Sequence, residues 1–197
     1  MYIIGLTGGI ASGKSTVSKI LKELGAKIID TDQVAREVVV PGQPAYKDII
    51  SNFGEGVLMP DGQLDRRALG NIVFNNAEAR EILNSITHPR IREAVAKKID
   101  TFRQENPDAV VIIEAPLLIE AGMDDMVDSI WVVTAPVPVR LKRLMARNRL
   151  SEEEAKSRLK SQAGDDFRLK YADKVINTGG DLEGTRQAVL RVWKEIQ

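Results

Sequence analysis

Residues Gly8-Gly9-Ile10-Ala11-Ser12-Gly13-Lys14-Ser15 match G-x-x-x-x-G-K-[ST] in full, directly after the apolar segment Ile3-Ile4-Gly5-Leu6 and ahead of a helical pattern. A strand, a glycine-rich turn and a helix in that order form a phosphate-binding loop. Glycines let the backbone curl so that successive N–H groups point at phosphate oxygens, and the helix adds its positive end to the same anion site. Lys14 can bridge β- and γ-phosphates, and the Ser15 hydroxyl can coordinate Mg²⁺. The run predicts a nucleoside triphosphate site on an α/β scaffold.

The remaining pattern fits that scaffold. Residues 2–6 read as a strand. Val17, Ile20, Leu21 and Leu24 recur at helical spacing, with Gly25 suited to end that helix. Strands are expected at 27–30, 109–113, 129–134 and 173–177, and helices at 33–39, 138–147, 151–163 and 182–193. Ser151 and Glu154 form a capping-box pair at the start of the third of these helices. Residues 45–106 look largely helical, punctuated by Pro60-Asp61-Gly62 and His88-Pro89. Apolar strands alternating with helices imply a parallel sheet covered on both faces. The long interval after the second strand exceeds one crossover. It is read as a helical insertion at about 33–106, with a smaller lid at about 137–165 and a core of 1–32, 107–136 and 166–197.

Composition narrows the function classes. Lys plus Arg and Asp plus Glu each total 28, which leaves no net field for nucleic acid or an anionic membrane. The absence of cysteine excludes disulfides and thiolate chemistry. There is no uncharged apolar stretch long enough to span a bilayer and no secretory signal pattern, so a soluble cytoplasmic protein is expected. No obligate protein partner is indicated.

Several residues could carry chemistry. Asp32, in Asp30-Thr31-Asp32 at the end of the second strand, can orient an attacking hydroxyl and take its proton, or can simply cap the helix that follows. Arg140, Arg143 and Arg147 share one helical face, either as a solvated surface or as a lid that closes over a transferring phosphoryl group. His88, the only histidine, lies within one helical turn of Arg92; the pair can grip an anionic or hydroxyl-bearing substrate, or His88 can be a turn residue. Glu114 closes the third strand, where a carboxylate could stand near the Mg²⁺ shell. Trp131 and Trp193 are expected in the core.

Taken together, the chain resembles the dephospho-CoA kinase family, which catalyses the last step of coenzyme A synthesis. The likeness spans nearly the whole sequence: Ile4 through Thr16, Ile29-Asp30-Thr31-Asp32, Ala35-Arg36-Glu37-Val38-Val39, Gly62 through Leu69, Val73-Phe74, His88-Pro89-Arg90-Ile91-Arg92, Pro116-Leu117-Leu118-Ile119-Glu120, Arg143 through Arg147 and Ala172 through Gly179. His-Pro-x-Ile-Arg and Pro-Leu-Leu-x-Glu discriminate far better than the phosphate loop.

The resemblance implies a P-loop kinase fold: a three-layer α/β architecture with a five-stranded parallel sheet, a helical CoA-substrate insertion and a lid. It implies transfer of the ATP γ-phosphoryl to the ribose 3′-hydroxyl of dephospho-CoA, with Mg²⁺. Gly8 and Ala11, Ser12, Gly13, Lys14, Ser15 and Thr16 match the ATP-phosphate cradle, with Ser15 on the metal. Asp32 matches the base, Arg143 and Arg147 the lid arginines. His88, Arg92, Leu117, Leu118 and Glu120 fall on the acceptor side, and Asn177 to Gly179 near the adenine. Arg140 stands where the family commonly has glutamine, so its role is open.

Two rivals share the loop. One is another small-molecule or nucleotide kinase. The other, a GTP-dependent switch, lacks an Asn-Lys-x-Asp motif, and its only Asp-x-x-G match, Asp181 to Gly184, follows the last strand.

Overall fold

The computed structural model describes residues 1–160 and 165–196. In chain order the elements are β1 (Tyr2–Thr7), α1 (Lys14–Glu23), β2 (Lys27–Asp30), α2 (Thr31–Glu37), α3 (Pro44–Phe53), α4 (Arg66–Asn75), α5 (Ala77–Glu105), β3 (Val110–Glu114), β4 (Ser129–Thr134), α6 (Val137–Asn148), α7 (Glu152–Lys160), α8 (Asp165–Leu169), β5 (Lys174–Asn177) and α9 (Leu182–Lys194). They form two compact units, one of Met1–Ile29 with Phe102–Gln197 and one of Asp30–Thr101.

In the first unit the apolar runs become a five-stranded sheet in the order β2-β3-β1-β4-β5, with parallel pairing of β1 to β3, β1 to β4 and β4 to β5. This is the expected α/β class. Ile4, Leu6, Ile112, Trp131 and Val133 pack with Val17, Ile20 and Leu21 of α1 and Val189, Val192 and Trp193 of α9. Val111 and Ile113 are equally buried. They alternate with Ile112 and so point to the opposite face, as a sheet covered on both sides requires. Both tryptophans are core residues, as expected. Gly25, at φ 100°, ends α1 and lets the Ala26 N–H reach back to the Leu21 carbonyl at 3.0 Å.

In the second unit a separate apolar cluster joins Val39, Ala45, Ile49, Val57, Leu64, Leu69 and Ile86. Two boundaries differ from the sequence reading. α2 begins at Thr31 because the Asp30 carboxylate accepts the N–H groups of Asp32 and Gln33 at 2.9 and 3.2 Å. α5 runs for 29 residues through Pro89 instead of breaking there. Proline removes one backbone bond. Around it, Thr87 Oγ1 donates to the Leu83 carbonyl at 2.8 Å and Arg90 Nη1 to that of Ile86 at 2.7 Å. Buried Ile86, Ile91 and Val95 anchor the helix on both sides of the proline.

The Ser151–Glu154 capping box forms as read: the Ser151 N–H donates to Glu154 Oε2 at 2.8 Å and the Glu154 N–H to Ser151 Oγ at 3.3 Å. The helix it starts is described to Lys160; residues 161–163 of that expectation lie outside the described residues. The short α8 has no counterpart among the elements expected from the sequence. No helix among the described residues is long and apolar enough to cross a membrane.

Candidate active site

Parallel register brings the working ends of the strands to one edge. Leu6 pairs with Glu114, Thr7 with Val132, and Thr134 with Asn177. The loop after β1, the last residue of β3 and the turn after β5 therefore share the carboxyl edge of the sheet, where open α/β folds bind ligands.

The loop closes on itself through the Ser12 N–H to the Gly9 carbonyl at 3.1 Å, with Ala11 at φ 60° and Gly13 at φ 90°. Gly13 has no room for a side chain, because a Cβ there would lie 2.8 Å from Thr178 Oγ1. Lys14 Nζ meets Glu114 Oε1 at 2.7 Å, both side chains 13% exposed. Ser15, in the first turn of α1, is exposed.

Thr178 ties three segments together. Its hydroxyl donates to the Ser12 carbonyl at 2.6 Å and accepts from Arg143 Nη1 at 2.9 Å, while Arg143 Nη2 donates to the Thr178 carbonyl at 2.6 Å. Asn177 Oδ1 turns back to accept the Gly179 N–H at 2.7 Å. Arg143, Asn177 and Gly179 are thus drawn to the loop. Arg147 is not; its exposed side chain donates to Asn148.

Arg140 is buried and donates to the Ile10 carbonyl in the loop and to Asp165. Glu120 accepts from Arg168 Nη2 at 2.9 Å, and Arg168 is almost fully buried. Leu118, matched with Leu117 to the acceptor side, is instead fully buried beneath Gly5 of β1, where a Cβ would fall 2.4 Å from its Cδ2, whereas neighbouring Leu117 is exposed.

Within the second unit, Asp32 is exposed in the first turn of α2. Asp30, not Asp32, supplies the cap, so the Asp32 carboxylate is not consumed by that duty. His88 and Arg92 are both half-buried, four residues apart on α5, and so lie on one face. Burial holds the His88 imidazole below its ordinary pKa, which favours the neutral ring.

A family model described as dephospho-CoA kinase matches residues 2–183. The chain belongs to the dephospho-CoA kinase family. A dephospho-CoA kinase of Moorella thermoacetica is 66% identical over 197 residues, covering 100% of this chain and 93% of the relative. The solved dephospho-CoA kinase from Campylobacter jejuni is 35% identical with a TM-score of 0.74, covering 98% of this chain and 96% of that one. A solved Thermus thermophilus structure is 33% identical with a TM-score of 0.84, covering 100% and 98%.

The contacts that hold the site are the part least visible in the sequence. Glu114, the carboxylate that closes the third strand, pairs with Lys14. Asp165 and Arg168 are site contacts that no sequence motif marks. Thr178 lies within the Asn177–Gly179 stretch matched to the adenine, but its tie to Ser12 is not a local pattern; Arg168 gives no local signal. Among the described residues no group of three or more His, Cys, Asp or Glu side chains is suited to a metal ion.

Proposed function

We propose that this chain transfers the γ-phosphoryl group of ATP to the ribose 3′-hydroxyl of dephospho-CoA, giving coenzyme A and ADP. The observation that carries the reading is the phosphate loop at the carboxyl edge of the sheet, with Lys14 poised on Glu114, in a chain of this family. The segment at about 33–106 serves as the acceptor-binding insertion and that at about 137–165 as the lid.

Gly8 and Ala11 through Thr16 cradle the triphosphate, and Lys14 moves from Glu114 onto the β- and γ-phosphates. The loop residues fit a Mg²⁺–nucleotide complex: the exposed Ser15 hydroxyl is one oxygen donor at the helix start, and Mg²⁺ takes most of its other ligands from phosphates and water. When bound, the ion neutralises charge on the transferring group.

Asp32 aligns the 3′-hydroxyl and takes its proton as the oxygen attacks the γ-phosphorus. The bond to the β–γ bridging oxygen breaks and ADP leaves. Arg143, with Arg147 joining it on lid closure, balances the developing charge and excludes water. His88, Arg92, Leu117 and Glu120 grip the acceptor, with Leu118 supporting that segment from the core. Asn177 and Gly179 border the adenine.

The test is ADP release measured with dephospho-CoA against AMP, CMP and shikimate. Turnover with dephospho-CoA alone, and a product heavier by one phosphoryl group, is the expected result. Faster turnover with another acceptor would move the chain to a different small-molecule kinase.

A further inference from the structure

Arg140, on α6, is a charged side chain that engages the backbone of the phosphate loop from outside it. It is 6% exposed. Its Nε donates to the Ile10 carbonyl at 2.9 Å, and its Nη1 donates to both carboxylate oxygens of Asp165 at 2.9 and 3.0 Å. The guanidinium lies so close to the loop that a Cβ at Gly9 would fall 2.4 Å from Nη2. Asp165 opens α8, and three residues on, Arg168 of the same helix is bound to Glu120. The carboxylate that holds Arg140 is itself anchored.

The hydrogen bond to Ile10 falls on the central peptide of a tight turn, a peptide that turn geometry allows to point either way. Gly9 through Ser12 form a turn closed by the Ser12 N–H on the Gly9 carbonyl, and Ile10–Ala11 is its central peptide. In a trans peptide the C=O and the following N–H point in opposite directions. Fixing the Ile10 carbonyl on Arg140 therefore turns the Ala11 N–H away from Arg140. Holding that orientation keeps Ala11 at φ 60°, a region that disfavours any residue with a Cβ. Without Arg140, the turn can relax by flipping this peptide, which would reverse its N–H and carbonyl together.

We propose that Arg140 is a positioning residue for the ATP site, holding the Ile10–Ala11 peptide so that the Ala11 N–H serves the phosphates. This rests on the reading of residues 8–15 as the phosphate cradle. Asp165 acts through Arg140 by fixing the guanidinium in place.

The test is calorimetric titration of Mg²⁺–ADP into the parent chain and its variants, with KM for ATP and for dephospho-CoA measured alongside. R140M should weaken ADP binding and raise KM for ATP by about tenfold, the scale of one lost charge-assisted hydrogen bond plus the freed peptide. KM for dephospho-CoA should stay within about twofold, an expectation that follows from a role confined to the donor site. R140Q keeps one N–H donor for the Ile10 carbonyl and should retain most of the affinity. Adding A11G to R140M should recover part of the loss, because glycine occupies φ 60° without strain.

Parent-like ADP binding by R140M overturns the proposal, as does equal weakening toward both substrates. A loss that neither R140Q nor A11G relieves also overturns it. If R140M does not fold, D165N reads the same contact; a weakening of about threefold is expected from a slackened anchor, and no change counts against the proposal. Failure of the parent chain to bind ADP would instead reject the phosphate-loop reading.

Discussion

Lys14 Nζ stands 2.7 Å from Glu114 Oε1 with both side chains 13% exposed. The pair joins the first turn of α1 to the last residue of β3, two positions 100 residues apart in sequence. The lysine is thus held by a carboxylate. Triphosphate binding has to exchange one anionic partner for another, and the Lys14 charge is never left alone in a largely buried place.

Glu114→Gln removes that resting partner and leaves the Lys14 ammonium poorly compensated. The unliganded variant should lose about 1–3 kcal/mol of stability, the usual cost of orphaning a mostly buried charge. Mg²⁺–ATP supplies a new partner, so it should raise the melting temperature of the variant more than that of the parent. Equal shifts would show that Lys14 does not exchange between Glu114 and the nucleotide.

Asp30 and Asp32 divide two duties. Asp30 caps α2, and Asp32 is proposed to take the substrate proton. Asp32→Asn should lower kcat by about 100-fold or more while leaving ATP affinity intact, in line with general-base contributions. Asp30→Ala should destabilise the protein by about 1 kcal/mol and lower kcat as well, because the first turn carrying Asp32 loosens; Asp30→Asn, a good cap, should restore both. Steady-state rates and urea melts on the three variants separate base from cap. Near-parent turnover in Asp32→Asn would remove it as the base.

How much was legible follows from the range over which each feature is encoded. The phosphate loop, the capping box at Ser151 and the helix stop at Gly25 are local patterns, and they appear where the sequence puts them. Pro89 misleads because a local rule meets a tertiary answer: buried Ile86 and Ile91 carry the helix across it. The contacts that shape the loop are not local at all. Thr178 reaches Ser12 across 166 residues and Arg140 reaches Ile10 across 130. Burial of Arg168 on Glu120 leaves no trace in periodicity either, because an arginine in a polar stretch reads as a solvated residue.

His88 gives a dependence on pH with a definite sign. Burial lowers its pKa in the folded chain below the ordinary value of about 6.5. The unfolded chain therefore binds more protons in the window just below that value. Stability should be fully present above pH ~6.5 and decline as the pH falls from there toward the lowered folded pKa. Denaturant melts between pH ~7.5 and ~5 on the parent and on His88→Gln should differ in slope within that window. Identical slopes would mean that His88 titrates alike in both states.

Leu118 tests the packing beneath the Pro116–Glu120 segment. It is fully buried against Gly5, so Leu118→Ala should cost about 2–5 kcal/mol through lost burial and a cavity. Exposed Leu117→Ala should cost little stability and instead raise KM for dephospho-CoA. Thermal melts and initial rates on the two variants check this split, and a stability loss confined to Leu117→Ala would invert the assignment.

The central claim concerns which oxygen receives the phosphoryl group. Initial rates of ADP release should be compared for dephospho-CoA and for its analogue lacking the ribose 3′-hydroxyl, at saturating Mg²⁺–ATP. The account predicts steady turnover with dephospho-CoA, formation of a 3′-phosphorylated product, and no turnover above background with the 3′-deoxy analogue. Comparable phosphorylation of the 3′-deoxy analogue would contradict it.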